Sequence, residues 1–148
     1  MSLQDALAAL AALPISGVNT YGVGALPQTI QRAALPALLV VPFDLPDLPT
    51  LPSDGLTVAT FTQGSTHAQI SVTHLLLLTT TEAAQPMRAT LPALLAHVDA
   101  VLAAYAADPL LGDTLAEPLR VRVALGVYAW GGSSCCGCAF QHQWLLRL

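Results

Sequence analysis

The sequence predicts an α+β domain: an antiparallel or mixed sheet of two hairpins plus one N-terminal strand, with two helices packed on one face. Three observations carry this. Two stretches place leucines in steps of three and four. Two glycine-serine turn signals sit between runs of alternating residues. A short apolar run ending in valines is bracketed by prolines.

Ser2 and Asp5 have the spacing of a helix N-cap and its first-turn acid, and Leu3, Leu7 and Leu10 then share one stripe of an alanine-rich helix that should stop before Pro14. Gly17, Gly22, Gly24 and Pro27 break up the next stretch of chain, leaving room for a short extended piece around 18–23. Leu35 to Val41, flanked by Pro36 and Pro42, suits a buried strand. From Asp44 to Gly55, Pro46, Pro49 and Pro52 remove the amide hydrogens that a helix or a paired strand needs. The segment 43–55 therefore reads as a proline-rich loop, or as an arm reaching toward a neighbour.

Both hairpins obey one rule. Gly64-Ser65 fits the centre of a type II′ turn, whose first central residue needs positive φ, and closing it pairs Phe61 with Ala68, Ala59 with Ile70 and Thr57 with Val72. The same reading of 131–134 pairs Val127 with Cys138, Leu125 with Phe140, Val123 with His142 and Val121 with Trp144. Arg120, Arg122, Gln141 and Gln143 then collect on the opposite, outward face, with Tyr128 and Trp130 as contact anchors near the turn. Between the hairpins, Met87, Leu91, Leu94, Leu95, Val98, Leu102 and Tyr105 form a helical stripe. Pro86 and Pro92 should make its first turns irregular, and Asp108-Pro109 should close it. No repeat or linker divides residues 1–148, so one domain is expected.

Composition narrows function. The chain has 148 residues, 54% of them hydrophobic, with only five basic and nine acidic side chains. An average domain of this length carries about a quarter charged residues, or roughly 37. All five basic residues are arginines and the net charge is −4, which disfavours nonspecific adhesion to nucleic acid phosphates and excludes a polycationic binder. The hydrophobic content excludes intrinsic disorder. Despite a mean hydropathy of +0.61, proline, threonine or a charge interrupts every apolar run short of the ~18 residues of a membrane span. The expectation is no membrane association, and Asp5 sits where a secretion signal would be basic.

No reactive motif stands out. Cys135, Cys136 and Cys138 are too close together for a disulfide framework, so reduced thiols are expected. Cys136, Cys138, His74 and His142 could in principle surround zinc. Their C-x-C spacing within a strand, however, departs from the loops that structural zinc sites use, and small buried thiols beside Phe140 are the preferred reading. Nucleophile elbows, phosphate loops, dinucleotide fingerprints and paired metal histidines do not occur. The expectation is no cofactor, no metal and no enzymatic activity.

The chain resembles the tail terminator, or tail-completion, proteins of long-tailed bacteriophages. The likeness runs through the N-terminal helix, Leu35-Pro36-Ala37-Leu38-Leu39-Val40-Val41-Pro42 and Val72-Thr73-His74-Leu75-Leu76-Leu77-Leu78. It continues through Leu91-Pro92, Ala107-Asp108-Pro109-Leu110-Leu111-Gly112-Asp113-Thr114, Gly126-Val127-Tyr128-Ala129-Trp130-Gly131-Gly132 and Gly137-Cys138-Ala139-Phe140. It departs from that pattern after the last turn, where cysteines stand in place of the usual aromatic residue, and in its low charge content. The resemblance implies a structural virion protein, assembled in the host cytoplasm, that forms a homohexameric ring at the head-proximal end of the tail. The ring would cap the tail tube protein, end its polymerisation and meet the head-neck connector proteins, with DNA only as passing cargo. Arg120, Arg122, Tyr128, Trp130, Gln141 and Gln143 are the expected interface residues. Another neck subunit, or from a different class a small-ligand-binding or enzymatic α+β domain, are the alternatives. The latter would need convergent polar groups in a pocket.

Overall fold

The computed structural model describes residues 2–42, 55–62, 64–84 and 86–148. The core of the expected proline arm, 43–54, lies outside the described residues. The order is α1 (Leu3–Ala11), β1 (Asn19–Tyr21), β2 (Ala37–Val41), β3 (Gly55–Thr62), β4 (Ser65–Thr80), α2 (Met87–Ala107), β5 (Arg120–Trp130) and β6 (Ser133–Arg147), with two short 3-10 turns at 23–25 and 32–34. The architecture is α+β, built on a mixed sheet in the order β1-β2-β4-β6-β5.

β4 is the spine. On one side it pairs with β6 along nearly its whole length. On the other it pairs first with β3, from Ser65 to Ser71, and then with β2, from Thr73 to Leu77. β2 and β3 thus lie end to end along the same side of β4, and β5 forms the opposite edge of the sheet. The short extended piece expected around 18–23 is β1, which adds to β2 in parallel and makes two strands, not one, before the hairpins.

α1 starts as its sequence dictates. Ser2 Oγ accepts the Asp5 amide hydrogen at 3.1 Å, and the Asp5 carboxylate accepts from the Ser2 amide at 2.9 Å, closing a capping box. Those hydrogen bonds hold the Asp5 carboxyl below its usual range. Ala6, Leu7 and Leu10 face the sheet.

The second hairpin, and the first from its turn as far as Val58, adopt a register two residues from the expected one; beyond the irregularity between Leu56 and Val58 the first is off by three, with Leu56 and not Ala59 opposite Ile70. Ser65 pairs with Thr62 and Ala68 with Ala59; Ser133 pairs with Trp130 and Cys136 with Val127. The cause in the second hairpin is the turn type. Gly131 and Gly132 both have positive φ, +57° and +84°, the requirement of a type I′ turn, which centres one residue earlier than the II′ alternative. A shift of two preserves the side-chain faces, so the predicted division between inward and outward residues survives in the second hairpin; in the first, the irregularity between Leu56 and Val58 breaks it at the start of β3.

α2 also differs. It runs unbroken through Pro92, which lies on an exposed side of the second turn, where the carbonyl that loses its partner is that of exposed Arg88. Only part of the expected stripe is buried: Leu94, Val98 and Tyr105 face the sheet, joined by Val101, which the stripe did not include, while Met87, Leu91, Leu95 and Leu102 stay exposed. At the C-terminal end the Asp108 carboxylate accepts the Gly112 amide hydrogen at 2.9 Å.

The sheet is covered on both sides around β2 and the adjoining parts of β4 and β6. On the helix side, α1 and α2 pack on Leu38, Val40, Val72, Leu76 and Phe140. On the other side, Leu26, Ile30 and Leu35 from the 22–36 segment pack on Leu39, Leu75, Leu77, Ala139 and Trp130. This double cover is why all five residues of β2 are buried and why its sequence is continuously apolar.

Candidate functional site

The sequence-predicted interface residues divide into two groups. Arg120 pairs with Gln143 and Arg122 with Gln141 across β5 and β6. With Ser71 they line an open hollow of about 300 Å³ on the sheet face left bare by the 22–36 segment. Arg120, Arg122 and Gln143 are exposed or partly exposed and Gln141 is half-buried. These four form the polar, outward surface expected of them.

Tyr128 and Trp130 stand on the same side of β5 but are not free anchors. Trp130 is 2% exposed, and its indole Nε1–H donates to the Pro27 carbonyl at 2.9 Å. Tyr128 is half-buried and donates its hydroxyl hydrogen to the Ala124 carbonyl. The correction has a physical cause: a buried indole needs a hydrogen-bond acceptor, and the 22–36 loop brings one by folding over the hairpin tip. Sequence alternation alone does not reveal a covering loop a hundred residues away.

A second surface was not assigned from sequence. On the helix-facing side of β5, Val123, Leu125 and Val127 are 39, 46 and 53% exposed, because α2 sits over β6 and leaves β5 uncovered. Met87 and Leu91 of α2 border the resulting groove, with Leu94 and Cys136 at its floor. Leu95 and Leu102 prolong the apolar stripe along α2. The signal was present in the sequence: the helical stripe contains more large apolar residues than one buried face can use. β5 is also an edge strand with no proline, and its last eight residues carry no charge, so it lacks the features that usually blunt edges in solitary proteins.

α2 is long and apolar enough to cross a membrane by length and composition, the one such helix among the described residues. It nevertheless packs one side on the sheet through Leu94, Val98, Val101 and Tyr105.

The thiols and imidazoles occupy the interior. Burial pushes the Cys138 thiol up to about 11 and raises Cys135 and Cys136 as well, which keeps them protonated at neutral pH and poor nucleophiles. Cys136 Sγ rests 3.2 Å from Met87 Sδ, away from the histidines. His74 and His142 do meet, with ring centroids 6.1 Å apart, but among the described residues no three metal-ligating side chains converge. The two larger open hollows, of about 740 and 780 Å³, flank α1. Their walls are mostly alanine, leucine and glycine, with Asp108 the one titratable side chain among the described residues.

No protein-family model matches the chain, and no curated protein matches it at a significant level.

Proposed function

We propose that this chain is a structural ring subunit that caps the head-proximal end of a phage tail tube, ends its polymerisation and joins the tail to the neck. The observation that carries the reading is the apolar surface of β5 and α2 on a protein with so few charges. Leu125, Val127, Met87 and Leu91 line a groove beside an open strand edge, and Val123 is exposed on the same side of β5. Exposed apolar surface of this kind marks a protein interface. The resemblance to tail terminators supplies the assembly, a head-to-tail ring in which heterologous contacts close on themselves. An acidic subunit without lysine suits a channel that DNA must traverse without adhering.

Two measurements test this. Sedimentation of the purified chain should show a finite oligomer, and a compact monomer at high concentration would refute the reading. Electron microscopy of tails assembled without the subunit should show tubes of uncontrolled length, whereas tubes of normal length would exclude the capping role.

A further inference from the structure

Residues 44–52 read Asp44-Leu45-Pro46-Asp47-Leu48-Pro49-Thr50-Leu51-Pro52, three successive x-Leu-Pro triplets. Three residues is also the repeat of the polyproline II helix, which rises ~3.1 Å per residue. In that conformation Leu45, Leu48 and Leu51 share one side, and Asp44, Asp47 and Thr50 share another. β5 offers the matching pair of sides. Leu125 and Val127 line the α2 groove with Val123 exposed on the same side, and Arg120 and Arg122 line the hollow on the opposite face. The segment 43–54 contains three carboxylates, Asp44, Asp47 and Asp54, and no basic residue.

We propose that the Leu-Pro segment of one copy lies along the β5 edge of a second copy, its leucines against the apolar side and its aspartates against Arg120 and Arg122. The proposal rests on the ring reading and names the contact that builds the ring.

The chain length outside the described strands decides against the copy's own segment. It leaves the sheet after Val41, opposite Thr73, and returns at Gly55, opposite Ser71, both on the edge of β4 remote from β6. Reaching β5 from there crosses three strand spacings, ~14 Å, plus ~5 Å to seat at the edge, so the round trip is ~38 Å. The 14 steps from Val41 to Gly55 span ~46 Å when extended at ~3.3 Å per residue. Less than ~10 Å would remain to run along β5, about a third of the ~28 Å that the triplet repeat occupies as polyproline II. A neighbour's segment has no such limit. A contact from one sheet edge of each copy to the opposite edge of the next is heterologous, as a ring requires.

The test uses two variants of the full chain, R120D/R122D and D44R/D47R, with self-association read by sedimentation and folding by circular dichroism. Each variant alone should associate at least about tenfold more weakly than the parent, because like charges then face each other across the contact. An equimolar mixture should regain association, since each variant's segment then meets a face of opposite charge on the other, and only contact between different copies can produce that rescue. Leu48→Ser, which leaves β5 untouched, should weaken association independently of charge. Variants that assemble like the parent, or a mixture that stays dissociated, overturn the docking while leaving the ring reading in place. A parent chain that never associates overturns both.

Discussion

The Tyr105 hydroxyl lies 2.7 Å from Nδ1 of His74, tying α2 to the spine strand in the middle of the core. A second imidazole, His142, stands edge-on to the same tyrosine ring at 4.7 Å between centroids, and its Nδ1 accepts the Trp144 indole hydrogen at 3.2 Å. That bond fixes the proton of neutral His142 on Nε2. Both Nε2 atoms are buried without a hydrogen-bond partner. A polar cluster of this kind is stable only while it stays uncharged.

Acid should therefore unfold the protein early. Burial pushes His142 down to about 3 and His74 well below the usual histidine value, the latter also through repulsion from His142. Unfolded histidines titrate near 6.5. Above that value both states are neutral and stability is full; below it the unfolded chain takes up protons that the folded chain refuses. The loss grows as pH falls toward the folded values and reaches about 2 kcal/mol for His142 at pH 5, with His74 adding to it in the same direction. Urea midpoints measured at pH 7 and pH 5 check this, because carboxylates stay largely ionised across that window. An unchanged midpoint would show that the two imidazoles are not neutral and buried together.

Tyr105→Phe keeps the ring packing and removes the hydroxyl. His74 Nδ1 then loses its partner in a site 1% exposed, and the expected cost is about 1–3 kcal/mol. Denaturation at pH 7 measures it. A neutral outcome would mean that the tyrosine contributes only packing.

The glycines of the last turn are separable. Gly131 combines positive φ with close contact to the backbone of Gln28 and Thr29, so a Cβ there would push the 22–36 segment away. Gly132 has positive φ but open space around it. Gly131→Ala should destabilise by more than about 1–2 kcal/mol, whereas Gly132→Asn should cost little, because asparagine tolerates the left-handed region. Thermal or urea denaturation of the two variants makes the comparison. Equal losses from both would show that turn conformation alone, and not loop packing, fixes Gly131.

Gly131 and the histidine cluster also mark how far the sequence is legible. Strand alternation and helical periodicity are local, and they locate every described strand and helix, including which sides of β5 and β6 face inward. Alternation places His74 and His142 inward, yet their meeting with Tyr105 depends on long-range pairing and the seating of α2, which no local period records. The hairpin register shifts because Gly131-Gly132 can serve either of two turn types, and the II′ reading places the centre one residue late. Trp130 escapes local reasoning for a related cause: its cover comes from Pro27, far away in sequence. On α2 the period of three and four is real but too broad. Leu94, Val98, Val101 and Tyr105 face the sheet, and the extra leucines belong to a surface that one isolated copy leaves uncovered.

That surface gives the last prediction. Leu91 and Leu125 are 45 and 46% exposed on opposite walls of the groove. If they serve association and not the core, Leu91→Gln and Leu125→Thr should each change unfolding stability by no more than about 0.5 kcal/mol, the usual range for surface substitutions. The same changes should weaken self-association, since they remove apolar area from the contact at roughly 25 cal/mol per Å². Stability and sedimentation must be measured on the same samples, because only their divergence separates an assembly residue from a core residue. A loss of about 2 kcal/mol or more from either substitution would be the signature of a core leucine. It would move both residues from the assembly surface into the fold of the single chain.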